Sequence, residues 1–354
     1  MRRVPLSVLD VVPVRRGTSV SEAFAESVAL AQHAEGLGYS RYWFAEHHGA
    51  AGIASTSPAV LSARVASATS TIRVGAGGVM LPNHAALTIA EQFGTLEALF
   101  PGRVDLGLGR APGTDPLTSM ALGAKRGARA AEAFPGQLDD LIGFFRGAPA
   151  WAERDMANVA DERRFFDEID STPALGHEVP IWLLGSSDVS ARLAGERGLP
   201  FSFAHHFSQE NTLPALSLYR RVFRPTSMAS APSWSLQAPK AMVAALIIVA
   251  DNDADAVRNA MPMALSFLRM GQGVRGPFPT LQDVDDHPWE PHEERFIAGW
   301  LEKNIVGGPR TVKAKLTSLL SQTAADELMV LSTAPTPEAR QRSYTLLREL
   351  HDSV

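Results

Sequence analysis

Short apolar segments recur along this chain, and nearly every one is followed by a stretch with helical spacing. "VPLSVLDVV" (4–12), "RYWFA" (41–45), "IRVGAGGVML" (72–81), "RVDLGLG" (103–109), "VPIWLLG" (179–185), "LPFSFA" (199–204), "AMVAALIIVA" (241–250) and "DELMVLS" (326–332) read as strands. Near-continuous apolarity of this kind belongs to strands covered on both faces, as in a parallel sheet. Between the first two, "SVSEAFAESVALAQHAEGLG" carries a capping box from Ser19 to Glu22 and apolar Val20, Phe24 and Val28 at helical spacing, with Gly36 and Gly38 as a stop. Further helices are predicted over 57–70, with Pro58 in the first turn, over 86–100, over 126–146, and in "SSDVSARLAGERG". Eight strands alternating with helices predict an α/β chain folded as a (β/α)8 TIM barrel. The competing doubly wound sheet needs a glycine-rich turn after its first strand, and "PVRRGTS" is not one.

A barrel of this type routinely exceeds 200 residues as one domain, so residues 1–354 are read as a single unit. Two segments fall outside the repeat. Residues 150–175 are polar and are expected to form an insertion before the fifth strand. Residues 270–291 hold four prolines and three glycines between helices. Loops of that length are commonly functional, and this one is expected to be a lid.

Charge and composition narrow the function classes. A net charge of -5 leaves no electrostatic footprint for nucleic acid or an anionic membrane. With no cysteine there is no disulfide, thiolate nucleophile or Cys-ligated metal. The N-terminal segment alternates and is broken by Pro13 and Arg15, so it reads as a strand and not as a signal peptide. A cytoplasmic enzyme is the expectation.

In a (β/α)8 barrel the chemistry sits at the C-terminal strand ends. Five of the ten histidines fall there: His47 and His48 after Glu46 in "YWFAEHHG", His84 in "LPNH", and His205 and His206 in "AHHF". Adjacent side chains in extended chain point apart, so neither histidine pair offers two ligands to one metal, and no metal site is assigned. A histidine such as His48 could equally bond a loop carbonyl at the rim.

Gly185, Ser186 and Ser187 lie at a strand-to-helix turn, where backbone N–H groups favour a phosphate. A plain serine N-cap explains the same residues equally well. Arg110, after "DLGLG" on the neighbouring strand end, adds weight to the phosphate because a guanidinium grips phosphate bidentately. Gly77 and Gly78 in "GAGG" would leave a flat wall for a planar ring, whereas Gly75 could serve close helix–strand packing instead. A phosphorylated aromatic cofactor accounts for all three features together.

"GYSRYWFAEHH", "IRVGAGGVMLPNHAALTIAEQFGTLEALFPGRVDLGLGRAPG" and "PIWLLGSSDVSARLAGERGLPFSFA" resemble the bacterial-luciferase-like flavin monooxygenases. The resemblance is dense over 37–113 and 179–205 and thin over 150–175 and 206–235. It implies reduced FMN, supplied by a separate flavin reductase, or a deazaflavin in a sister group. By resemblance His47 is the catalytic histidine, with Glu46 orienting it or its loop and His48 beside it. Gly77 and Gly78 would flank a non-proline cis peptide against the flavin ring, with His84 nearby. Arg110 would hold the phosphate together with Gly185, Ser186 and Ser187. Gly109 stands where luciferases have a reactive cysteine, and Ala86 where close relatives tend to have proline. The implied activity is oxygenation of a small organic substrate by reduced flavin and O2, in a homodimer joined through the second and third helices. A deazaflavin-dependent dehydrogenase or reductase and a non-catalytic flavin-binding protein are the alternatives. Trp182, Phe203, Phe207 and Trp234 could belong to either pocket or core.

Overall fold

The computed structural model describes residues 3–123, 128–146, 169–225 and 235–352, and most of the 150–175 insertion, with Trp234, lies outside them. Eight parallel strands close into a barrel: β1 (Leu6–Asp10), β2 (Arg41–Phe44), β3 (Arg73–Met80), β4 (Val104–Gly109), β5 (Ile181–Gly185), β6 (Phe201–Ala204), β7 (Ala241–Val249) and β9 (Glu327–Leu331). Their order is β6-β5-β4-β3-β2-β1-β9-β7, and a β6–β7 pairing completes the ring. A ninth strand, β8 (Ile305–Gly307), pairs with the last residues of β7 outside that ring. Three residues are too few to carry a readable alternation, which is why the sequence does not announce it.

The period of two sorts every strand into an outward and an inward set. Tyr42, Phe44, Val74, Ala76, Leu106, Leu108, Phe201 and Phe203 belong to the core under the helices. Leu9, Trp43, Ala45, Trp182, Ala244, Leu246, Met329 and Leu331 belong to a second cluster inside the barrel. Trp182 and Phe203 are therefore core residues, buried at 2% and 0%, while Phe207 is exposed.

Near the N-terminal strand ends the inward positions are charged. Arg41 Nη1 lies 2.5 Å from Asp105 Oδ2, and its Nε lies 2.8 Å from Glu327 Oε1. Arg73 Nη2 reaches Asp105 Oδ1 at 2.7 Å, Trp43 donates to Asp105 at 3.2 Å, and Ser7 donates to Glu327 at 2.5 Å. Buried charge is tolerated only when paired and hydrogen-bonded, and every member here is. The plug closes the bottom of the barrel; above it the interior is apolar up to the rim.

The helix α1 (Val20–Gly36) starts with the predicted Ser19–Glu22 capping box, and α2 (Pro58–Ala66) starts at Pro58. The third helix, α3 (Ala86–Leu99), follows a single 3-10 turn over Leu81–Asn83 that carries the chain off β3. Of the expected lid, residues 271–276 are exposed, but from Phe278 onward the segment is anchored. The Phe278 N–H donates to the Val14 carbonyl at 2.8 Å, the Arg16 N–H donates to the Phe278 carbonyl at 2.9 Å, and a capping box at Thr280 opens a short helix over Leu281–Asp285. A backbone bridge of this kind leaves no trace in a proline-rich sequence.

Candidate active site

Alternation along β2 points Trp43 and Ala45 into the barrel and carries His47 inward at the rim. The His47 backbone N–H donates to the Ser55 carbonyl at 3.1 Å, which fixes the turn. Its Nδ1 lies 3.2 Å from the Gly113 carbonyl. A carbonyl only accepts, so Nδ1 carries the proton and Nε2 presents a lone pair. Burial holds the imidazole below its ordinary pKa, so the ring is neutral at pH 7 and acts as a base or acceptor. Gly113 is needed there: its φ is +64°, and a Cβ would stand 2.9 Å from the Glu46 carbonyl.

Glu46 does not reach that ring's free nitrogens. Its carboxylate, 1% exposed, accepts from His84 Nε2 at 2.8 Å, from His48 Nε2 at 2.9 Å and from the Met80 N–H at 3.1 Å. Burial alone would raise its pKa, but the donors from His84, His48 and Met80 outweigh that and hold the carboxyl ionised below its usual range. Glu46 thus braces the ends of β2 and β3 together. The loop is what it orients, along with His48 and His84. His48 bonds Glu46 and not a loop carbonyl, so the two adjacent histidines have different partners. Among the described residues no group of three or more candidate ligands is arranged to hold a metal ion.

The Gly77–Gly78 peptide is cis, and the pairing of β3 with β4 shifts register between Gly77 and Val79. A Cβ on Gly77 would sit 2.8 Å from Leu9 Cδ1 and 3.0 Å from Trp43; one on Gly78 would sit 2.6 Å from the Gly107 carbonyl. Protein already fills the space those side chains would need, so close strand packing requires both glycines. Gly75 is also a strand–strand contact, with a Cβ only 2.1 Å from the Asp105 carbonyl, in place of the helix–strand packing considered above.

Arg110 ends β4 half-buried, with no hydrogen bond or ion pair among the described residues. Ser187 occupies the N-cap position of the helix Asp188–Glu196, yet its hydroxyl makes no capping bond. A Cβ on Gly185 would lie 2.6 Å from Ser190, so the turn is drawn tight against its helix. Unused donors at a helix N-terminus beside an unpaired guanidinium are what an anionic group requires.

Backbone partners were invisible in the sequence: the Gly113 and Ser55 carbonyls and the Met80 N–H carry no side-chain signature. His206 was visible as a rim histidine, but no pattern assigned it a partner.

A parallel barrel whose titratable groups gather at the C-terminal strand ends defines an enzyme, and a neutral base on the same rim as an unpaired guanidinium and an uncapped helix N-terminus suits a cofactor-dependent one. The chain belongs to the luciferase-like monooxygenase family, whose pattern matches residues 5–327. A luciferase-like monooxygenase of Escherichia coli (strain K12) is 40% identical over 354 residues, spanning 100% of this chain and 98% of the relative. The crystal structure of apo-MsnO8 superposes with a TM-score of 0.82 at 31% identity, covering 99% of both chains. The oxygenating constituent of a 3,6-diketocamphane monooxygenase from Pseudomonas putida, solved with FMN, shares the fold at a TM-score of 0.70 and 19% identity, covering 100% of this chain and 99% of that one. The general activity that the resemblance implied, that of a flavin-dependent oxidoreductase, follows from this membership.

Proposed function

We propose that the rim binds reduced FMN, with its phosphate between Arg110 and the Gly185-Ser186-Ser187 turn, and oxygenates an apolar organic molecule. Reduced flavin supplies two electrons, one oxygen atom enters the substrate, and the other leaves as water. His47, neutral and with a free Nε2, is the residue that takes or holds a proton at the reacting centre. Glu46, His48 and His84 are positioning residues that keep the ends of β2 and β3 in register. Gly77 and Gly78, which close strand packing requires, are the backbone against which the ring would lie. The apolar interior above the charged plug excludes water from the reaction. This reading includes a separate flavin reductase as donor and a cytoplasmic setting. It also includes a homodimer through α2 and α3, where Val60 is 69% and Leu99 62% exposed.

The unpaired Arg110 beside the uncapped serine turn carries this reading. Arg110→Ala should weaken FMN binding by about 1.5–3 kcal/mol, the range for a charge-assisted hydrogen bond, and leave riboflavin binding nearly unchanged. Fluorescence titration of both flavins decides it: equal weakening removes Arg110 from the phosphate. A deazaflavin that reconstitutes turnover where FMN does not would replace the cofactor.

A further inference from the structure

We propose that Phe278 is a positioning residue for His47: it pins one end of a small backbone layer at the mouth of the barrel, and the far end of that layer holds the turn that carries the histidine. Only the consequence for catalysis rests on the flavin monooxygenase reading.

In "GPFPT" (276–280) the two prolines have no N–H, so Phe278 supplies the backbone donor between them. That N–H goes to the Val14 carbonyl at 2.8 Å, and the Phe278 carbonyl takes the Arg16 N–H at 2.9 Å, a parallel bridge centred on Arg15. The same segment pairs antiparallel with the loop after β2. Val14 donates to the Gly52 carbonyl at 2.8 Å, and Ala54 donates to the Val12 carbonyl at 3.0 Å. One residue further on, the Ser55 carbonyl accepts the His47 N–H at 3.1 Å. Three segments far apart in the chain thus form one run of backbone hydrogen bonds from Phe278 to His47. The middle segment has a specified course: Val12 sits at φ +49°, which β-branched residues rarely adopt, and its N–H is held by Asp10 Oδ1 at 2.8 Å.

The ring secures the Phe278 end. Residues 271–276 are exposed, whereas Phe278 is buried in the interior cluster with Val11, Trp43 and Ala45, against which Ile53 packs. A Cβ at Gly52 would stand 3.1 Å from both Phe278 Cδ2 and the Phe278 nitrogen, so a bare backbone there lets the ring seat. Further holds on the His47 turn come from the loop after β4. The Gly113 carbonyl meets His47 Nδ1 at 3.2 Å, and the Thr114 hydroxyl donates to the His48 carbonyl at 2.7 Å. The layer supplies the hold from the β1 side. A seated Phe278 and a placed His47 are then one state of the mouth.

The test uses the full-length protein without flavin or substrate, so its outcome is separate from the phosphate test on Arg110 and from the chemistry given to His47. In the native protein, amide exchange read residue by residue should show the Phe278, Val14, Ala54 and His47 N–H groups opening as one unit, with protection within about tenfold of one another. Phe278→Ala should speed exchange at Ala54 and His47 by about 10–100-fold and leave the Leu106 and Leu328 amides of β4 and β9 unchanged. In 15N-histidine spectra, assigned with His47→Gln, that variant should shift the His47 ring from Nδ1–H towards the Nε2–H form that free imidazole prefers. The His206 ring, whose Nδ1 lies 3.0 Å from the Ala244 carbonyl, should not move. Phe278→Leu should restore most of both signals, and Gly52→Ala, which displaces the ring without altering it, should reproduce their loss. A His47 amide and ring unchanged while the N–H at position 278 becomes free overturns the proposal, as does equal loosening of β4 and β9. So does a native His47 amide that opens independently of Phe278, a result that needs no variant to fold.

Discussion

His47 and Glu46 are neighbours in the chain and do different work, because extended backbone sends them to different partners. His47 rests on the Gly113 carbonyl with its Nε2 open; Glu46 is buried under donors from β3 and its loop. Removal of the His47 ring leaves the brace untouched. His47→Ala should therefore change flavin affinity by less than about 0.5 kcal/mol, as expected where no anchor is broken. Reduced flavin reacts with oxygen unaided, so oxygen uptake should continue. The fraction of oxygen recovered in product should fall, with hydrogen peroxide rising to match. An oxygen electrode with peroxide quantitation reads this, and a variant that instead stops binding flavin would make His47 structural.

The strands do two jobs at their two ends. At the bottom, Arg41, Arg73, Asp105 and Glu327 are held by β2, β3, β4 and β9, and Asp105 meets both arginines. Asp105→Asn keeps the shape and removes the charge, leaving Arg41 with Glu327 and Arg73 with backbone carbonyls alone. Breaking a buried pair costs about 3–5 kcal/mol, so urea unfolding should show a loss of that size. A loss below about 1 kcal/mol would mean that water reaches the plug. At the top, the segment after the helix Asp253–Gly271 is exposed over 271–276 and clamped from Phe278. Limited proteolysis should compare cleavage there with cleavage beyond the clamp. The first of these should lie within 271–276, which is exposed, and FMN with substrate should slow it. A faster cut between Phe278 and Asp286 would show that the clamp opens.

The pH response belongs to the molecule as a whole. Asp105 and Asp10 are buried, which by itself raises a carboxyl pKa, but their arginine partners hold both below the usual range; Glu46 lies low as well. A lowered folded pKa gives stability that is present above the unfolded value and lost as pH falls through the folded one. His206, at about 4 against an ordinary 6.5, acts earlier. The unfolded chain takes up its proton first, so stability falls as pH drops from about 6.5 to about 4 and that loss then stops. Urea midpoints from pH 8 to 3 should show two successive losses on acidification. His206→Gln should lessen the first and leave the second, with a difference of about 1–3 kcal/mol between pH 7 and 4.5. Parallel curves for the two proteins would mean that His206 is not desolvated.

All eight barrel strands and the capped start of the first helix could be read from the chain, because apolar period and capping are local properties. The strand-end residues were legible for the same reason: once a strand is placed, its C-terminal end is placed too. Which histidine meets which partner was not legible. Gly113 is 66 residues from His47, Ala244 is 38 from His206, and each contributes a carbonyl that every residue type possesses. The charged plug was hidden likewise, since Arg41, Asp105 and Glu327 each look like ordinary strand-end charges until closure brings them within hydrogen-bonding distance. Periodicity and capping act between near neighbours and are written in residue order; pairing across a closed barrel follows from strand order and register, which place distant backbone atoms side by side.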